Sequence, residues 1–235
     1  IHRATAEALE AVDGTSRKME DAQALAHHWG MAGPEHLKKE IAHLERAGAR
    51  ALAVFANKDA SGIFESILAK TEAAASHEDS TFHQWAKDGQ GKWRIQLSNA
   101  QMAMGESRSA YRTLQDAVKL YDGGRWALPK KAVMQEKITA IMQDPTAGHV
   151  SNARIEFCAE LSSVHDMLSE ISYATNNSTL RQYSKLLAHL FAERSGQSPD
   201  IAKGHALVTF AYSAVDDQQQ ARRHCDVARV MAGEM

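Results

Sequence analysis

From Lys92 to Tyr121 apolar residues recur every three or four positions on both sides of one glycine. Trp93, Leu97, Ala100 and Ala103 or Met104 precede Gly105. Ala110, Leu114, Ala117, Val118 and Tyr121 follow it. This period puts each set on one face of a helix. Gly105 can adopt the backbone shape that reverses the chain. Ala100, Ala103, Ala110 and Ala117 are small enough for two helices to approach closely. A chain containing this stretch is committed to packing helix on helix.

A second copy runs from Ala202 to Met235, at a constant offset of 111 residues from the first. Leu97 corresponds to Val208, Ala100 to Ala211, Ala103 to Ala214, Ala110 to Ala221, Leu114 to Cys225 and Ala117 to Ala228. Asp216 stands where the first copy has its turn glycine, and Tyr212 adds an aromatic. Residues 92–121 and 202–235 resemble the tetratricopeptide (TPR) repeat, a helical pair with small residues along its packing seam. Three repeats of about 34 residues fall short of the offset, so the chain between the copies is irregular or carries longer helices. The resemblance implies an all-α fold of antiparallel helical hairpins, a TPR-like or related helical-repeat array with an N-terminal helical subdomain. An antiparallel bundle with alanine at its close contacts is the alternative. The expected domains are 1–88 and 92–235, separated at Asp88-Gly89-Gln90-Gly91.

Stacked hairpins form a concave surface from their first helices, suited to an extended peptide or a partner helix. If the resemblance holds, Lys92, Gln96, Asn99 and Met102 line it in one copy and Lys203, Phe210 and Ser213 in the other. Ala110, Ala117, Ala221 and Ala228 are expected to be buried at helix contacts.

Composition fits this reading. Hydrophobic residues make up 44% of 235 residues, charged residues 24%, and there are only four prolines. The net charge of −2 gives no whole-chain footprint for nucleic acid. Two cysteines, Cys158 and Cys225, are too few for a disulfide framework and lie in apolar helical patterns as expected buried thiols. No apolar run is long enough to span a bilayer and no secretory pattern is present, so a cytoplasmic protein is expected.

Along the chain, roughly ten helices are expected. Ile1 to Val12 stops at Asp13-Gly14. Ser16 caps a helix holding Leu25 and Trp29, and Pro34 opens one that ends near Gly48. Ala49 to Ala56 continues as helix or forms a strand, and Asn57 to Gly62 reads as a loop. His77 to Ser80, Asp122-Gly123-Gly124, Asp144 to Gly148, Asn176-Asn177-Ser178 and Ser195 to Pro199 read as breaks. Pro129 opens a helix, a long helix runs from about Val150 to Ala174, and Ser178 or Thr179 caps the next.

Residues 21–48 resemble a helix-turn-helix, with its turn at Gly30. The outward residues of its second helix would be Glu35, His36, Lys38, Lys39, Ala42, His43 and Arg46. A DNA-binding regulator with a helical effector domain is therefore the alternative function, its wing supplied by Ala51 to Ala56. Glu35, Glu40 and Glu45 dilute the positive charge of that helix. His36, Glu40 and His43 share a helical face at a spacing near that of metal ligands. Cys158 and His165 lie about 10 Å apart along one helix, beyond hydrogen-bond reach. Gly89-Gln90-Gly91-Lys92 lacks the upstream glycine of a phosphate-binding loop. No catalytic set assembles, so the expectation is a non-enzymatic scaffold or adaptor for a protein or peptide, with no cofactor and no metal.

Overall fold

A computed structural model describes residues 1–13, 19–74, 80–144, 148–196, 198–214 and 216–233, and it is all-α. Among the described residues there are eleven α-helices and no strand. They are α1 (His2–Asp13), α2 (Met19–Ala32), α3 (Leu37–Ala53), α4 (Asn57–Ala74), α5 (Ser80–Ala103) and α6 (Ser107–Leu120), then α7 (Lys131–Gln143), α8 (Ile155–Ala174), α9 (Ser178–Ser195), α10 (Ser198–Ser213) and α11 (Gln218–Gly233). None of the described helices is long and apolar enough to cross a membrane. The chain divides into two compact units, Ile1–Thr113 and Leu114–Met235, with the division inside α6.

Four helix-to-helix turns share one set of backbone bonds. Each places one residue in the left-handed region: Phe55 (φ 61°), Gly105 (φ 79°), Asn176 (φ 53°) and Asp216 (φ 61°). The N–H of that residue donates to the carbonyl three positions back, from Phe55 to Leu52, Gly105 to Met102, Asn176 to Tyr173 and Asp216 to Ser213. The next N–H reaches five positions back, from Ala56 to Ala51, Glu106 to Gln101, Asn177 to Ser172 and Asp217 to Tyr212, at 2.8–3.1 Å. These are the paired bonds of a Schellman helix end. Asp216 thus takes the backbone shape of Gly105, and the two copies turn alike. Asn177 and Asp217 then cap the following helices, accepting from the N–H of Leu180 and Gln220, each at 3.1 Å.

The first unit buries Ile41, Ala47, Ala51, Ile63, Phe64, Ile67, Trp93 and Leu97 in one cluster. Several expectations change here, because glycines read as breaks are packing positions. Gly89 and Gly91 lie inside α5, so the expected linker and the boundary at 88–92 are absent. A Cβ on Gly89 would lie 2.5 Å from the Trp93 ring. Gly48 lies inside α3, where a Cβ would lie 2.7 Å from the Phe64 ring. Of the two alternatives for Ala49 to Ala56 the helix holds as far as Ala53, where α3 ends, and Asn57 to Gly62 opens α4 rather than a loop. Ser16, His77 to Asp79 and Pro145 to Ala147 lie outside the described residues.

The helix-turn-helix stretch is α2 and α3, but Gly30 is inside α2 and the chain turns at Gly33, φ 136°. The Lys39 ammonium sits 3.8 Å over the Trp29 ring and 3.7 Å from Glu10 Oε2. Lys38 lies 5.6 Å over Trp85. Trp29 is buried, and its Nε1 donates to Glu10 Oε1 at 2.9 Å. Burial pushes the Glu10 carboxyl up, but bonds from His43 and Trp29 and the Lys39 charge outweigh this and hold it below the ordinary value. His43 Nε2 pairs with Glu10 at 2.9 Å and Glu40 pairs with Lys70 at 2.9 Å. Of His36, Glu40 and His43, which share a face at near-ligand spacing, Glu40 and His43 therefore have separate partners.

In the second unit, α8 and α9 pack along their length through Leu161, Val164, Leu168, Leu180, Leu186, Leu187 and Phe191. Ser162 Oγ donates across to the Ala188 carbonyl at 2.9 Å. α10 packs on α9, and α11 packs on α10. Ala110, Ala117 and Ala221 are buried as expected, whereas Ala228 is half-buried. Cys158 is buried, and burial pushes its thiol up. Cys225 is exposed, contrary to expectation: it shares the face of Ala221 one turn earlier, but among the described residues of that helix only Ala221 is buried.

Candidate functional site

Three helices of the second unit wall a groove of about 940 Å³. α8 contributes Asp166, Ser169, Glu170 and Tyr173, spaced by three and four so that they share a face. α9 contributes Ser178, Arg181, Gln182 and Lys185 at similar spacing. α10 contributes Leu207, Phe210, Ala211 and Ser213. Tyr173 and Phe210 are large rings left 74% and 65% exposed, which makes this wall the apolar part of an open surface.

Cations lie on both rings. Lys185 Nζ is 4.1 Å from the Phe210 ring centre and the Arg181 guanidinium is 5.5 Å from Tyr173. Neither cation makes an ion pair among the described residues. Burial pushes the Lys185 ammonium down and the neighbouring Arg181 adds to this, against Asp166. Burial likewise pushes the Glu170 carboxyl up, helped by Asp166. Asp166 itself is buried and ion-paired to Lys203.

Phe210 and Ser213, two of the expected partner-binding residues, line this groove. Lys203 is exposed at its stem but bound to Asp166, so its charge is already compensated. Lys92, Gln96, Asn99 and Met102 lie on α5 of the first unit. Lys92 and Asn99 are exposed, Gln96 and Met102 half-buried, and Lys92 Nζ is 3.9 Å from Glu45 Oε1. The residues the sequence reading missed are Tyr173, Arg181 and Lys185. Arg181 and Lys185 do carry a signal, since cations four apart share one edge of a helix.

On α9, α10 and α11 the same unit gathers three imidazoles. His189, His205 and His224 offer nitrogens that all lie within 4.8 Å of one another. His205 Nδ1 and His224 Nδ1 are 2.8 Å apart. His189 Nδ1 is buried without a partner. Burial, with the neighbouring rings adding to it, pushes His189 down to about 3 and His224 down to about 4. Burial also lowers His205.

No protein-family model matches the chain, and no curated protein matches it. Among solved structures the chain is similar to BtubC (BKLC) from P. vanneervenii, with 16% identity and a TM-score of 0.47, covering 97% of this chain and 92% of that one. A likeness of that degree bears on neither function nor partner.

Proposed function

We propose that the chain is a non-enzymatic helical-repeat interaction module, TPR-like in its hairpins, that holds an acidic amphipathic peptide in the α8–α10 groove. The four matched turns support the repeat reading. The observation that carries the choice of ligand is the pairing of two exposed rings with two cations that make no ion pair among the described residues. An apolar side chain of the peptide packs against Phe210 and Tyr173, and its carboxylates take charge-assisted bonds from Arg181 and Lys185.

The test is selection of peptides from a display library on the intact chain, followed by affinity measurement against Arg181→Glu and Phe210→Ala. Enriched peptides are expected to carry acids beside an apolar anchor. Each substitution should weaken them by about tenfold, or about 1.4 kcal/mol. Peptides that bind both variants as tightly as the parent chain would move the binding surface off this groove.

A further inference from the structure

The geometry points to a zinc-binding site formed by His189 of α9, His205 of α10 and His224 of α11, tying the last helix to the two before it. Three nitrogens already lie within 4.8 Å of one another. Tetrahedral zinc with bonds of about 2.0–2.1 Å spaces its nitrogens by about 3.3 Å, so side-chain rotation closes the set. The Nδ1 atoms of His205 and His224 face each other at 2.8 Å, so one donates its proton to the lone pair of the other, and a shift of that proton to Nε2 turns both Nδ1 lone pairs to a metal. His189 Nδ1 is buried and makes no hydrogen bond, an unpaired polar atom that a metal would satisfy.

The surroundings are arranged around these rings. Glu193 Oε1 lies 3.5 Å from His189 Nε2 and 3.9 Å from His205 Nε2, on the outer nitrogen of each ring. The negative charge of a carboxylate there favours the Nε2–H tautomer, which leaves Nδ1 free to ligate. Tyr212 stacks on His224 at 5.3 Å and 11°, holding that ring's plane. Gly204 sits in the middle of α10, where glycine weakens a helix, yet a Cβ there would lie 3.1 Å from His189 Nδ1 and from His189 Cα. The glycine keeps α10 close enough to α9 for the rings to meet.

Imidazole nitrogens favour a borderline transition ion over calcium or magnesium, which take oxygen. The helices are crossed by the ligand set, and Ala221 is the buried residue of α11. The ion is therefore a clamp on α11, with water in the fourth position.

The test is calorimetric titration of the full, chelator-stripped chain with Zn²⁺, and with Co²⁺ as the visible-band probe. The expected result is one Zn²⁺ per chain and slowed amide exchange along α11. His224→Gln should weaken binding at least about tenfold, while His28→Gln leaves it unchanged. Absence of binding at about 100 μM Zn²⁺, equal affinity in His224→Gln, or loss only in His28→Gln would each overturn the assignment. Should His224→Gln not fold, ring-proton shifts of the unaltered chain decide. Shifts at His189, His205 and His224 support the site, and shifts confined to other histidines reject it.

Discussion

In the first unit, His2, His27 and His28 bring three rings together where α1 meets α2. In the second, His189, His205 and His224 do so where α9, α10 and α11 meet. The ring separations are alike, 5.2–6.1 Å against 4.6–5.1 Å. Each set contains one close Nδ1 pair, at 3.0 Å in the first and 2.8 Å in the second. The surroundings differ. His27 is exposed, whereas His189 is buried with a nitrogen that no protein atom satisfies. Among the described residues the second set has a carboxylate near two outer nitrogens and a glycine at the close approach of α9 and α10. Three histidines at contact distance do not make a ligand set. Desolvation, an outer acceptor and a rigid approach of the helices do.

The largest expected effect tests how α11 is held. Ala221 is buried, so Ala221→Leu should overpack the α10–α11 contact and cost roughly 1–3 kcal/mol. Ala228, half-buried further along, should accept leucine within roughly 0.5 kcal/mol. Urea denaturation of both variants measures this. Equal costs would mean that α11 is packed along its whole length, and the clamp would have little left to hold.

A second test concerns His165, another buried histidine of this unit. Its ring stacks on Phe191 at 5.6 Å and neither nitrogen has a partner. Burial pushes it down from 6.5 to about 3. The folded value is depressed, so the unfolded chain takes up the proton first as pH falls. Stability is then full above about pH 6.5 and declines below it, by roughly 2 kcal/mol at pH 5. Urea denaturation at pH 7 and pH 5 should show this loss, and His165→Phe should remove that share of it. An unchanged acid loss in the variant would assign the sensitivity to other groups.

The smallest effect compares two helical glycines, one from each unit. Gly62 of α4 faces open space, so Gly62→Ala should raise stability by about 0.5–1 kcal/mol. Gly204→Ala should lower it by about 1 kcal/mol, because the added carbon meets Ala192 Cβ and His189 Cα at 3.1 Å. Thermal midpoints of the two variants should move in opposite directions. A shift of the same sign would remove the close approach of α9 and α10 from the account of the histidine site.

The all-α class and the two matched hairpins were legible, because periodicity of three and four is a local signal. The turns were legible only in part. Of the four left-handed residues, Gly105 alone announces itself, while Phe55, Asn176 and Asp216 reach the same shape with side chains that pay a local cost. Glycine misled where it serves packing. Gly30, Gly48, Gly89 and Gly91 are all helical, and a Cβ on Gly30, Gly48 or Gly89 would meet Glu40, Phe64 or Trp93. Phe210 and Ser213 were found through the repeat alignment. Tyr173, Arg181 and Lys185 needed the third helix in place. His189, His205 and His224 lie on three helices, so no short motif contains them, although the hairpin at Asp216 already set the last two on facing arms.

α10 carries two adjoining surfaces. Phe210 and Leu207 look into the groove, while Gly204 and His205 press against the rings of α9 and α11. Lys203, next in sequence to Gly204, reaches back to Asp166 on the groove wall. A ligand on either surface therefore acts on the position of one shared helix. If the proposed groove ligand and the proposed ion both bind, thermodynamic reciprocity makes any factor by which one changes the affinity for the other equal in both directions, with coupling carried through a single helix.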